Sequence, residues 1–412
     1  LLIRKTKHLN NETEESGFCY SHQWHRTVLN LLRDFYLRLV GRRSLCYSFI
    51  VFVIFLTTSM HSHSSVITVR QKTLCTHSVS GALLSLLLLL TPTLVSAQQS
   101  FSDLPEDHYA FSAVEFLKEN GIISGYSDGT FKPEKKVNRA EALKILLGSL
   151  VTQEQLSLAT GTDFTDVPAG SWFLPYVEIA KVNGIVDGPP KKTAFQGEKP
   201  VIKVEFIKML LLANKIDPNS YSEIRLPLSS DVNNVEEWYY PYLRYAFTSS
   251  MIMIGQDGLL KPGEELTRGQ TAVLLHRFLM YKGNRRTQAL LSETENEILV
   301  ILAMLEANNV EQAEFASARA LLAARGAHTS KPNEPIVIGA LKTAEAFRAL
   351  VRGYRSGLNK DYTQVEKLAK DAWHLGEQAK DASTDLGTLA DQVQKISQNM
   401  AESARAEMSK TE

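Results

Sequence analysis

The chain has 412 residues with 45 basic and 45 acidic side chains, a formal net charge of zero. The balance is uneven: residues 1–97 hold ten Lys and Arg against four Asp and Glu, leaving 35 against 41 for residues 98–412. That mild acidity, with no basic stripe, argues against nucleic acid as a partner. The three cysteines, Cys19, Cys46 and Cys75, all precede residue 98, so the remainder offers no disulfide, thiol nucleophile or Cys-ligated metal.

In chain order, residues 1–59 show no clear fold pattern. Their apolar run Leu45 to Leu56 is short of a membrane span, so the region is either a second signal-like segment or sequence upstream of the true start. Residues 60–97 read as a signal peptide. Arg70 and Lys72 form the positive region, Gly81 to Leu90 the apolar region, and Val95-Ser96-Ala97 the small-residue cleavage site. The mature protein is expected to begin near Gln98.

Three repeats follow, at 101–160, 161–226 and 227–286. Asp103, Asp166 and Asp231 each precede a basic residue, Arg139, Lys203 and Arg268, by 36 or 37 positions. Between them the order is constant. An aromatic (Tyr109, Trp172, Trp238) opens a first helix, expected at Ala113–Asn120, Val177–Asn183 and Leu243–Ser249. Gly121 and Gly184 stop the first two helices, whereas the third has Ser249 at the Asn position. An apolar pair then leads to an Asp-Gly turn (Asp128-Gly129, Asp257-Gly258) and a second, motif helix. The second copy has Gly188-Pro189-Pro190-Lys191-Lys192 in place of that turn, which predicts a loop of different shape.

Each motif helix starts with a cation in its first turn. Asn138 with Glu141, and Thr267 with Gln270, are capping pairs. A cation there has the wrong sign for the helix dipole. Free N–H groups beside an Arg make an anion-binding arrangement, and recurrence at three matched positions favours a ligand over chance. The structural alternative is that Arg139 and Arg268 pair with a carboxylate or lie over apolar surface. For Tyr109, Trp172 and Trp238 the alternative to sugar stacking is core packing, and the three Asp are expected to organise the opening turn.

Residues 288–412 turn to Ala, Leu, Glu, Gln and Lys, which predicts helices at Thr287–Ala307, Val310–Arg325, Ile336–Leu358 and within Lys360–Met408. Gly326 to Pro335 reads as a loop, while Gly376 and Gly387 weaken any single continuous rod. The apolar stripe either closes as a helical hairpin or bundle, or pairs with another chain. His108, His276, His328 and His374 lack metal-ligand spacing, and no nucleophile elbow, phosphate loop or calcium loop occurs. The expectation is no enzyme, no cofactor and no metal.

The ordered combination Phe101-Ser-Asp-Leu, Asn120-Gly121-Ile-Ile-Ser-Gly125-Tyr126-Ser-Asp128-Gly129-Thr-Phe131-Lys-Pro133 and Asn138-Arg139-Ala140-Glu141 resembles the S-layer homology (SLH) domain, in triplicate. The resemblance implies a mainly α fold: tandem helix-loop-helix units in a pseudo-threefold arrangement with the motif helices near its centre. It implies non-covalent anchoring of an exported protein to the cell envelope, through an anionic, often pyruvylated, secondary cell-wall polysaccharide held in grooves between units. The glycan-binding candidates are Arg139, Lys203, Arg268, Glu141, Glu205, Gln270, Tyr109, Trp172, Trp238, Gly125, Asp128 and Gly129. Lys203 lacks the planar guanidinium and Gln270 departs from the motif Glu, so the first groove is expected to be best formed and the second least. The alternative is a structural S-layer or envelope spacer whose repeats and tail self-assemble. The expected location is the cell wall or S-layer, or a periplasm-facing envelope if the host is diderm.

Overall fold

A computed structural model describes residues 99–188 and 191–410. The expected signal peptide, the 1–59 segment and Pro189-Pro190 lie outside the described residues. The repeats supply α1 (Phe111–Glu119), α2 (Arg139–Leu147), α3 (Gln153–Leu158), α4 (Leu174–Val182), α5 (Lys203–Ala213), α6 (Tyr240–Thr248) and α7 (Arg268–Lys282). The tail supplies α8 (Thr287–Glu306), α9 (Val310–Ser330), α10 (Pro335–Leu358), α11 (Tyr362–Ala382) and α12 (Gly387–Met408). The architecture is mainly α, as the sequence implies.

The helix starts follow local chemistry. In α2 and α7 both halves of the capping box form: Asn138 accepts from the Glu141 amide, Thr267 from the Gln270 amide, and each N3 side chain returns the bond. Ile202 cannot cap α5 through its side chain. The first helices begin two or three residues earlier than the apolar spacing predicts. In α4 and α6, Pro175 and Pro241 sit in the first turn, where a missing N–H costs nothing. Helix α3, capped by Thr152 and Gln155, has too few apolar residues to announce itself.

The repeats do not pack as independent hairpins. Motif helix α2 packs on α4 of the second repeat, α5 on α6 of the third, and α7 closes the circle on α1 of the first. At the centre the residues preceding the motif helices bond in a closed cycle. The Val137 amide donates to the Leu266 carbonyl at 3.0 Å, Leu266 to Val201 at 3.0 Å, and Val201 to Val137 at 2.9 Å. All three side chains are buried. Apolar β-branched or Leu residues suit this position because the backbone polar groups are spent on one another and the side chains fill the axis.

In the tail, α10 is the shared element: the α8–α9 pair and the α11–α12 pair both pack on it. Of the predicted loop Gly326 to Pro335, residues 326–330 instead extend α9, and 331–334 connect it to α10. A Cβ on Gly326 would lie 1.8 Å from the Thr248 carbonyl oxygen, so the glycine is there for the close approach of α9 to α6. The long polar segment breaks at a 3₁₀ turn, Thr384–Leu386, just before Gly387, giving two helices. From Phe101 onward the repeats and the tail belong to one compact unit.

Candidate functional site

Each opening Asp acts on the loop ahead of its own motif helix. Asp103 accepts from the Phe131 and Lys132 amides, both at 2.7 Å. Asp166 accepts from Phe195 and Gln196 at 2.7 Å, and Asp231 from Leu260 at 3.1 Å and Lys261 at 2.7 Å. Lys132, Gln196 and Lys261 all have φ between 53° and 59°, a left-handed conformation unfavourable for a residue with Cβ. The carboxylate clamp holds that kink, and so fixes where the carbonyl of the preceding residue points.

Those carbonyls are the seats of the motif cations. Arg139 Nε donates to the Phe195 carbonyl at 3.1 Å, Lys203 Nζ to Leu260 at 2.8 Å, and Arg268 Nε to Phe131 at 2.9 Å. Every cation therefore lies against the loop of the next repeat, and the groove is a property of the closed ring. The first two amides of each motif helix are not open for an anion. Arg139 and Ala140 donate to Lys199 and Gly197, Lys203 and Val204 to Glu264 and Pro262, Arg268 and Gly269 to Lys135 and Pro133. In α2 and α7 the third amide goes to the cap. At α2 and α7 anion recognition therefore rests on side chains.

The three cations differ in charge environment. Arg139 pairs with Glu205 at 3.2 Å, and both are mostly buried. Lys203 pairs with Glu264 at 2.6 Å, and Gln270 donates to the same carboxylate at 3.1 Å. Arg268 forms no carboxylate pair among the described ion pairs. Its guanidinium instead stacks on Phe131 and Tyr126, 4.6 and 4.9 Å from the ring centroids, and donates to Ser124 at 3.2 Å. Lys132 and Lys135 approach the same Tyr126 ring at 4.3 and 5.4 Å. The acid that would match Glu205 is Glu141, and Lys135 holds it at 2.8 Å. Lys132 meets Asp128 at 3.1 Å, where the Thr130 hydroxyl and then Lys132 hold the Asp128 carboxyl down at about 2.

The remaining candidates fall around these grooves. Gly125 has no room for a side chain, since a Cβ would lie 2.3 Å from the Phe101 ring, and Gly129 has φ 79°. Tyr109, Trp172 and Trp238 are 57%, 51% and 53% exposed, so none is packed into the core. Lys144 lies over Trp172 and Lys208 over Trp238, at 5.4 and 5.6 Å. Tyr109 takes another course: its hydroxyl meets the Thr267 hydroxyl at 3.3 Å and fills the space a Cβ on Gly269 would need. The departure of the third motif to Gly269 is thus coupled to the Tyr at 109. Tyr126, Lys132, Lys135 and Glu264 were not assigned a role from the sequence. The basic cluster Lys132 to Lys136 was the available signal, but only ring closure brings it to Arg268.

Residues 100–143, 163–207 and 230–272 match the S-layer homology domain. Among similar proteins, the surface-layer 125 kDa protein of Lysinibacillus sphaericus is 30% identical over 172 residues, 41% of this chain and 14% of that protein. The cellulosome-anchoring protein of Acetivibrio thermocellus is 28% identical over 113 residues, 27% of this chain and 25% of its own length. The amylopullulanase of Thermoanaerobacterium thermosulfurigenes is 23% identical over 193 residues, 45% of this chain and 10% of that protein. The matches thus cover between 10% and 25% of the length of these three relatives. Among the described residues no helix is long and apolar enough to cross a membrane.

Proposed function

We propose, from the premise that the chain carries three tandem S-layer homology domains, that it anchors an exported protein at the cell surface by binding an anionic secondary cell-wall polysaccharide. Its acidic group, a pyruvyl ketal in the sharpest form of this reading, docks beside Arg268. The observation that carries this is the surplus of positive charge there: Arg268, Lys132 and Lys135 share one aromatic ring, and Arg268 has no carboxylate partner among the described ion pairs. A planar guanidinium backed by an aromatic face suits a carboxylate, and with Lys132 paired to Asp128 and Lys135 to Glu141 the excess is the one charge of Arg268. Arg139 and Lys203 keep internal counterions and would contribute where a polymer carboxylate displaces them. This shifts weight from the first motif cation, favoured by the motif alone, to the third. The reading is of a binding chain rather than a catalytic one, secreted to the cell wall or to an envelope facing the periplasm.

The test is sedimentation of the full chain with isolated cell walls, before and after chemical removal of the acidic substituents. Retention should fall on their removal, and should fall by about tenfold or more in Arg268→Ala, as for loss of one charge-assisted bond of ~1.5–3 kcal/mol. Equal retention in all three arms refutes the assignment. The names of the surface-layer relatives favour a second reading, a lattice or spacer protein that self-assembles. Ordered two-dimensional arrays of purified protein without glycan would select it.

A further inference from the structure

The charges buried between the third repeat and the tail take no part in the groove chemistry. Arg319 on α9 grips Glu297 on α8 through two bonds of 2.6 and 2.8 Å, with side chains only 4% and 2% exposed. Its remaining nitrogen donates to the Leu228 carbonyl, at the start of the third repeat, at 2.7 Å. One turn before Glu297 lies Glu293, also buried. Arg277 on α7 and Arg286 in the connecting turn are within electrostatic reach of it. Their donors go elsewhere, Arg277 to the Met251 carbonyl at 3.3 Å and Arg286 to the carbonyl and hydroxyl of Ser250 at 3.3 and 2.5 Å. Ser250 is itself left-handed, φ 54°, at the end of α6. Gly326 of α9 meets Thr248 here, on a helix, α6, that has seven of its nine residues buried.

We propose that the seam is a proton-sensitive latch. Glu293 is neutral while the α8–α9 hairpin is docked on the third repeat, and its ionisation at higher pH loosens the docking. The groups that face it are Glu297 from its own helix, Arg319 from α9, Arg277 from α7 and Arg286 from the turn. Burial, and then the neighbouring Glu297 carboxylate, push the Glu293 carboxyl up to about 7 against the pull of the three arginines. An undocked Glu titrates near its ordinary value of 4.5. The docked state therefore holds the extra proton between those values. The stabilisation is complete below 4.5 and is lost as the pH rises through 7. His276, beside Arg277, has the opposite sign, since burial and then Arg286 and Arg277 lower its pKa. A comparison at Glu293 alone separates the two.

Hydrogen exchange of the full chain at pH 5.5 and 8, corrected for intrinsic rates, tests this on the amides of α6 and α8. Glu293→Gln has the same shape and cannot ionise. By linkage the wild-type protection should fall about 25-fold more than that of Glu293→Gln between the two pH values. Parallel falls overturn the proposal. Gly326→Val, which places a branched Cβ 1.8 Å from the Thr248 carbonyl oxygen, should strip protection from α6 at both pH values while α1 and α4 keep theirs. Unchanged α6 protection in that variant also overturns it. Neither readout involves glycan, so failure here leaves the anchoring reading untouched.

Discussion

Replacing Asp103 by Ala removes a carboxylate that the fold uses twice. Its two oxygens accept the Phe131 and Lys132 amides at 2.7 Å, across 28 and 29 residues of sequence. Phe131 is buried, so its amide loses its partner without gaining water, while Lys132 is exposed and its amide can be rehydrated. A hydrogen bond to a charged group contributes ~1.5–3 kcal/mol, with the full cost falling only on the dry amide. The left-handed Lys132 adds a backbone preference of about 1 kcal/mol, which the carboxylate no longer opposes. The expected loss is ~3 kcal/mol in urea unfolding, or about 6 °C in midpoint at ~2 °C per kcal/mol for a domain of this size. The Phe131 carbonyl should swing away from Arg268 Nε, so exchange of amides at the start of α7 should rise in the same variant. A loss below about 1 kcal/mol with an unchanged α7 start would show that the loop is held by its packing and not by the clamp.

Three further outcomes follow from single contacts. Gly269→Ala places a Cβ 2.6 Å from the Tyr109 hydroxyl and should cost ~1–2 kcal/mol, with Tyr109→Phe relieving much of it in a double-mutant cycle. Arg319→Met leaves Glu297 buried without its partner and should destabilise by ~3–5 kcal/mol in urea unfolding at neutral pH. The deficit should shrink as acid protonates Glu297, and Arg319→Met with Glu297→Met should recover much of it. Lys135→Met should weaken wall retention about tenfold or more with little change in stability. It removes one cation beside Tyr126 and releases Glu141 to neutralise Arg268.

What the sequence showed was local. Capping pairs, stop glycines and Asp-Gly turns are short-range signals, and the two capping boxes and the left-handed Gly121, Gly129, Gly184 and Gly258 are all in place. The helix-loop-helix repeats were legible for the same reason. Which helix packs on which was not, because α7 meets α1 across more than 150 residues and no periodicity encodes that partner. Gly326 misled for a related reason. A glycine in a helical pattern reads as a breaker until a neighbouring backbone is known to press on it. At the candidate site, the cations were found by recurrence, but their counterions were not. Glu205 and Glu264 reach Arg139 and Lys203 from the following repeat, so the neutralisation is visible only after closure.

Ring closure also explains why the three grooves need not bind alike. At each motif helix start two positions of the next repeat matter: the residue three before its N-cap and the N3 residue of its motif helix. The Arg139 amide donates to the Lys199 carbonyl and its side chain pairs with Glu205; Lys203 pairs with Glu264, which Gln270 also bonds; the Arg268 amide donates to the Lys135 carbonyl, and the Lys135 side chain pairs with Glu141. One carboxylate is present in every case, and what differs is its partner. Glu205 turns to Arg139, whereas Glu141 is drawn off by Lys135, which also bonds the Tyr126 hydroxyl at 3.1 Å. If a free cation is what an acidic sugar requires, Glu205→Gln should convert the Arg139 groove towards the Arg268 state. Retention on cell walls should rise by about three- to tenfold, the second binding contact adding on one polymer, and the gain should vanish in Glu205→Gln with Arg139→Ala. A Glu205→Gln variant that folds normally and binds no better would mean that the internal ion pair is not what restrains that groove, and that the surplus charge at Arg268 does not explain anchoring.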